Sequence, residues 1–76
     1  MDDVASMHTT ENMSMEEINQ EIARGAMVLV YYDGMIRQVT RIYRLESEII
    51  VSTKIPVPAF VYTPKVYALT GVKDQQ

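Results

Sequence analysis

The stretch Met27-Val28-Leu29-Val30-Tyr31-Tyr32-Asp33-Gly34-Met35-Ile36-Arg37-Gln38-Val39-Thr40-Arg41-Ile42 constrains the fold more than any other part of the chain. A β-branched and aromatic run meets Asp-Gly, and a second such run follows. A type I′ turn needs positive φ at both central residues, which Asp-Gly tolerates well, so the stretch reads as a β-hairpin. With Asp33-Gly34 as a two-residue loop, Tyr32 pairs with Met35, Val30 with Arg37 and Val28 with Val39. One face then carries Val28, Val30, Tyr32, Met35, Arg37, Val39 and Arg41. The other carries Met27, Leu29, Tyr31, Ile36, Gln38 and Thr40. Both faces of the first strand are apolar, so it is expected to be covered on both sides. That suits a small, strongly bent sheet or barrel.

Seventy-six residues allow one domain. A core this small is commonly supported by disulfides, metals or association. There is no cysteine and a single histidine, His8. Disulfides are therefore excluded and a structural zinc site is not expected, which leaves oligomerisation as the support. No cofactor is expected. No apolar run approaches the ~20 residues of a transmembrane helix. Met1-Asp2-Asp3 lacks the basic and apolar regions of a signal peptide, so a cytoplasmic protein without a membrane partner is the expectation.

The net charge of −3 conceals an asymmetry. Residues 1–25 hold six acidic residues against Arg24 alone, whereas residues 26–76 hold six lysines and arginines against four acids. The β-rich part is mildly basic. This permits nucleic-acid binding without arguing for it unaided.

Residues 1–13 lack periodicity and read as a flexible leader. Ser14-Met15-Glu16-Glu17 is a capping box, with Glu16 and Glu17 placed where the helix dipole favours negative charge. Met15, Ile18 and Ile22 follow at spacings of three and four, and Gly25 fits the position that stops a helix. A helix over 15–24 is expected to lid an open end of the sheet, its acidic face being either solvated or a partner surface.

The second strand is expected from Met35 to about Tyr43, and Leu45-Glu46-Ser47-Glu48 makes a polar turn. Ile49-Ile50-Val51-Ser52-Thr53 is a third strand. Pro56 and Pro58 interrupt the ladder by removing donors and fixing φ. Phe60-Val61-Tyr62-Thr63 is a fourth strand, Val66-Tyr67-Ala68-Leu69 a fifth, and residues 72–76 a polar tail. The expected fold is mostly β. An N-terminal α-helix is followed by a five-stranded, strongly bent antiparallel SH3-like barrel, with the domain spanning 14–71. Phe60 to Thr63 is a candidate for pairing with an edge on a neighbouring subunit, and repetition of such a contact closes a ring.

No catalytic constellation is present. His8 has no nucleophile at a meaningful spacing, and the three glycines stand alone at caps and turns. The chain reads as a non-enzyme. Tyr31, Tyr32, Tyr43 and Tyr67 lie near Arg37, Arg41 and Arg44. Together they form either an aromatic-basic patch for nucleic acid or, as ordinary sheets do, cross-strand pairs.

The order of elements resembles the Sm-like family, which includes LSm proteins and bacterial Hfq. Val28 to Gly34 resembles the first strand and turn of the family's first motif. Ile42-Tyr43-Arg44-Leu45-Glu46-Ser47-Glu48-Ile49-Ile50-Val51 is similar to its remainder, with Glu46 at the usual aspartate. Phe60 to Leu69 resembles the final hairpin. Gln38-Val39 replace the bending glycine, and the second strand is one residue longer, which a β-bulge would absorb. Glu48 stands at the base-stacking position, and Thr63-Pro64-Lys65 replace the second motif's basic signature. The resemblance implies a toroid of five to seven identical subunits that binds single-stranded RNA. Its candidate RNA residues are Glu46, Ser47, Glu48, Tyr62, Thr63 and Lys65. Its candidate interface residues are Phe60, Val61, Tyr62, Val66 and Tyr67. Tyr62 would stack on a base or pack at the interface, and Lys65 would meet phosphate or water. Glu48 would repel phosphate. The alternative is an SH3-like protein-interaction module or small scaffold without RNA, of the kind a phage or mobile element encodes.

Overall fold

The computed structural model describes residues 7–55 and 65–73. The expected fourth strand, with Phe60, Val61, Tyr62 and Thr63, and the prolines at 56, 58 and 64 lie outside the described residues. The elements are β1 (His8–Thr9), α1 (Met15–Ala23), β2 (Met27–Tyr32), β3 (Met35–Leu45), β4 (Glu48–Lys54) and β5 (Val66–Ala68). They form a small, mostly β domain with one helix and a five-stranded sheet of order β1-β5-β2-β3-β4.

The hairpin forms in the expected register, with Tyr32 opposite Met35 and Val30 opposite Arg37. Asp33 and Gly34 take φ of 56° and 77°, the pair of positive values that a type I′ turn requires. The β2–β3 ladder stops at Leu29 and Gln38, one pair short of Val28 and Val39. Just beyond, the β3–β4 register slips between Val39 and Arg41, so Thr40 is the extra residue of a β-bulge. The Thr40 hydroxyl donates to the Ser52 carbonyl at 3.2 Å and holds the bulge in place. The slip also reverses the facing of everything after it. Arg41 lies on the face opposite Arg37 and Val39, not beside them as strict alternation from Arg37 predicts.

Helix α1 is closed at both ends by its own sequence. The Ser14 hydroxyl accepts from the Glu17 amide at 3.1 Å, and the Glu17 carboxylate accepts from the Ser14 amide at 2.8 Å. At the other end Gly25 has φ 101°. The Gly25 amide donates to the Ile22 carbonyl and the Ala26 amide to the Glu21 carbonyl, a Schellman motif. The helix lays its apolar stripe on one end of one sheet face. Ile18, Ala26, Val28, Val39, Ile42 and Tyr67 form the core there, and Ile18 is fully buried.

Two expectations are corrected. The sheet is open and mixed, not a closed antiparallel barrel: β5 runs parallel to both β2 and β1. Strand β5 accordingly runs in the same sense as β4. Second, the leader joins the fold from His8 onward. His8 and Thr9 pair with Tyr67 and Ala68. Thr10 is fully buried; its hydroxyl donates to the Gly71 carbonyl at 2.6 Å and accepts from the Thr70 amide at 3.1 Å. Its side chain supplies what the polar composition concealed, a partner for backbone groups that would otherwise be unmet. Val72 packs on the core, and the Lys73 amide donates to the Met13 carbonyl. Among the described residues no helix is long and apolar enough to cross a membrane.

Candidate functional site

Pairing and alternation divide the sheet residues into two sets. The helix-covered face carries Val28, Val30, Tyr32, Arg37, Val39, Ile42, Ile49, Val51, Thr53 and Tyr67; the outer face carries Tyr31, Ile36, Arg41, Tyr43, Ser52 and Lys54. Helix α1 reaches β3 at the far end from the Asp33-Gly34 turn. The remainder of the covered face is a half-open groove of about 530 Å³ lined by Val30, Tyr32, Arg37, Ile49, Ile50, Val51 and Thr53.

The groove is apolar with one cation. Arg37 sits with its guanidinium 5.7 Å from the centre of the Tyr32 ring, a cation–π approach set by their diagonal placement across the hairpin. Its Nε is buried and has no hydrogen-bond acceptor among the described residues. A buried donor without a partner is costly, and an incoming oxygen would relieve that cost. At the hairpin tip Tyr31 and Tyr32 are 73% and 67% exposed, and Met35 and Ile36 are 43% and 51% exposed. Four large apolar side chains thus crowd one turn on both faces, whereas isolated exposed apolar residues are ordinary.

The outer face offers different chemistry. The Arg41 guanidinium stacks over Tyr43 at 4.4 Å, and Lys54 stands on the same face. Along β3 and β4 the cations lie within the strands, while Glu46 and Glu48 gather at the second turn. The expected choice between an aromatic-basic patch and cross-strand packing thus divides by residue. Tyr67 is buried, with its ring 5.3 Å from that of His8, and Tyr31 stands open.

The candidate residues taken from the family resemblance are scattered. Glu46 and Ser47 form the two-residue turn between β3 and β4; both are exposed, as is Glu48, and Glu46 has φ 58°. Lys65 is exposed just before β5, beside Glu21, Arg24 and Ala26 at a hollow of about 220 Å³. Arg24 there is engaged by Glu21 at 3.0 Å. In the sheet order β2 separates β5 from the β3–β4 turn, so Lys65 is not brought to Glu46, Ser47 and Glu48. Tyr62 and Thr63 lie outside the described residues. Of the interface candidates, Val66 is half-buried and Tyr67 is spent inside the core. Strand β5 has β1 on one side and β2 on the other.

One contributor, Asn19, is not singled out by the sequence reading. Asn19 follows Ile18 on the buried stripe, an amide where an apolar residue is usual, and that was its legible signal. Arg37 became distinctive only through its groove. Among the described residues no three His, Asp or Glu side chains are grouped as a metal site would require. Comparison with family models, with curated proteins and with solved structures finds no match to this chain.

Proposed function

We propose that the chain is a non-catalytic protein-interaction module whose groove receives an apolar segment bearing a carboxylate. The observation that carries this is Arg37, a cation with an unmet buried donor inside an apolar groove and flanked by an exposed apolar hairpin tip. A carboxylate meets the guanidinium with charge-assisted bonds, and neighbouring apolar side chains meet Val30, Ile49 and Val51. Selection from a random-peptide library on the immobilised chain tests it. Enriched peptides are expected to pair Asp or Glu with apolar neighbours and to lose binding to Arg37→Ala and Tyr32→Ala. Failure to enrich, or enrichment indifferent to Arg37, would overturn this reading.

A second reading is single-stranded RNA binding, favoured by the stacked Arg41 and Tyr43 with Lys54 on the outer face. In its Sm-like form five to seven subunits form a ring. RNA would then meet Glu46, Ser47, Glu48, Tyr62, Thr63 and Lys65, and the subunits would meet at Phe60, Val61, Tyr62 and Val66, since Tyr67 is held in the core. Titration with oligo-U and oligo-A separates the readings. RNA binding would weaken steeply with salt and fall in Lys65→Ala or Arg41→Ala. Absence of binding at low salt removes it.

A further inference from the structure

We infer that β4 is a self-complementary edge through which two copies of this chain join their sheets. Among the described residues β4 is the last strand of the sheet. An edge strand presents unpaired amides and carbonyls, and proteins usually blunt it with a proline, a bulge or a charge within the strand. Strand β4 has none of these between its ends: the bulge is in β3, and Ile49-Ile50-Val51-Ser52-Thr53 is uncharged.

The direction of its backbone groups follows from its neighbour. Asn19 occupies the Ile42 amide and carbonyl on the side of β3 away from β4, so Ile42 and Val51 form a non-hydrogen-bonded pair. The two-residue turn gives the same parity, since Leu45 and Glu48 close it. The Ser52 carbonyl, which accepts from Thr40, points toward β3. By alternation Ile49, Val51 and Thr53 turn their amides and carbonyls outward from the sheet.

An antiparallel copy placed on this edge has one register that uses the whole strand. Val51, the midpoint of Glu48–Lys54, lies on the two-fold axis. Ile49 then faces the partner's Thr53, and Val51 faces the partner's Val51. All of these are outward-turned residues, so each is a hydrogen-bonded pair. Glu48 faces the partner's Lys54, twice, on the outer face. Glu48 and Lys54 are exposed and have no ion-pair partner among the described residues. Shifting the register by two residues loses both charge pairs. A second copy therefore fits better than an unrelated strand, because this strand is complementary to itself in length, hydrogen-bond parity and charge.

The dimer extends the sheet across the axis and brings the two groove walls, Ile49, Val51 and Thr53 with their symmetry mates, into one continuous stripe. The proposal stands whether or not the groove binds the peptide class named above, because its test involves no ligand.

Sedimentation equilibrium of the full chain, with amide exchange, tests it. A dimer is expected, in which the Ile49, Val51 and Thr53 amides become protected as concentration rises. Lys54→Glu sets like charges opposite each other at both pairs and is expected to weaken the dimer by about tenfold or more. The exchange Glu48→Lys with Lys54→Glu restores both pairs and is expected to restore the dimer. Circular dichroism confirms that each variant is folded. A monomer throughout, a dimer indifferent to Lys54→Glu, a ring of more than two copies, or protection of those three amides in the monomer would each overturn the proposal.

Discussion

Asn19 closes a gap in the sheet that no strand fills. Its Nδ2 donates to the Ile42 carbonyl at 2.7 Å, and its Oδ1 accepts from the Ile42 amide at 3.0 Å. A side-chain amide thus imitates one residue of a strand where β2 has parted from β3. Asn19→Ala leaves both backbone groups without a partner beside a buried core. It is expected to cost about 1–3 kcal/mol in urea unfolding. Asn19→Asp keeps the acceptor for the Ile42 amide but sets a carboxylate oxygen against the Ile42 carbonyl, so it should not recover that loss. Glu46 shows the opposite balance. Its φ of 58° lies in a region where a side chain is strained and glycine is not. Glu46→Gly is expected to be neutral or stabilising by up to about 1 kcal/mol in the same measurement. A clear loss of stability would mean that the carboxylate makes a contact worth more than the strain it carries.

Among the elements, α1 depends least on its surroundings for its ends and most on them for its place. The capping box and the Schellman turn are local, and each follows from residues within a few positions. Ser14→Ala removes the acceptor for the Glu17 amide and is expected to cost about 1 kcal/mol. Loss of helical signal should appear first at the N-terminal turn, read by amide exchange at Glu16 and Glu17. The packing of α1 is not local: Ile18 is fully buried against β2, β3 and β5 residues that follow it in the chain. The β2–β3 hairpin is the reverse case. Its turn and register are local, yet its tip leaves Tyr31, Tyr32, Met35 and Ile36 exposed. An element so well determined and so poorly covered suits a contact surface.

Across the whole molecule the two ends of the described chain meet. Residues 7–13 and 65–73 hold each other through β1 and β5, the Thr10 hydroxyl and the Lys73 amide. Deletion of residues 1–10 removes one edge of β5, uncovers Tyr67 and leaves the Thr70 amide and Gly71 carbonyl without Thr10. It is expected to cost on the order of 2–4 kcal/mol, from lost burial and unmet backbone groups. A stability around 4–11 kcal/mol would be ordinary for a chain of this length, so the loss is a large share. Thermal unfolding of the shortened chain reads it directly. An unchanged midpoint would show that the N-terminal strand contributes little. The molecule extends 42 Å along its longest axis against 24 and 20 Å across. Such a shape leaves much of the sheet as surface, and self-association through β4 would cover part of it.

The sequence by itself determined what short-range chemistry controls. Asp33-Gly34 set the turn and the β2–β3 register, since only a primed turn matches the strand twist. Ser14, Glu17 and Gly25 set the limits of α1. Tertiary structure decided what depends on distant partners. The direction of β5, the place of β1 beside it and the burial of Thr10 rest on contacts roughly forty to sixty residues apart, which no local pattern encodes. The site divides in the same way. Arg37 and Tyr32 were legible as hairpin neighbours, but the groove that isolates Arg37 needed β4 laid against β3. Side chains can be assigned to a strand's faces from their order. Which of those faces the helix covers is settled only when Ile18 meets Val28, Val39 and Ile42.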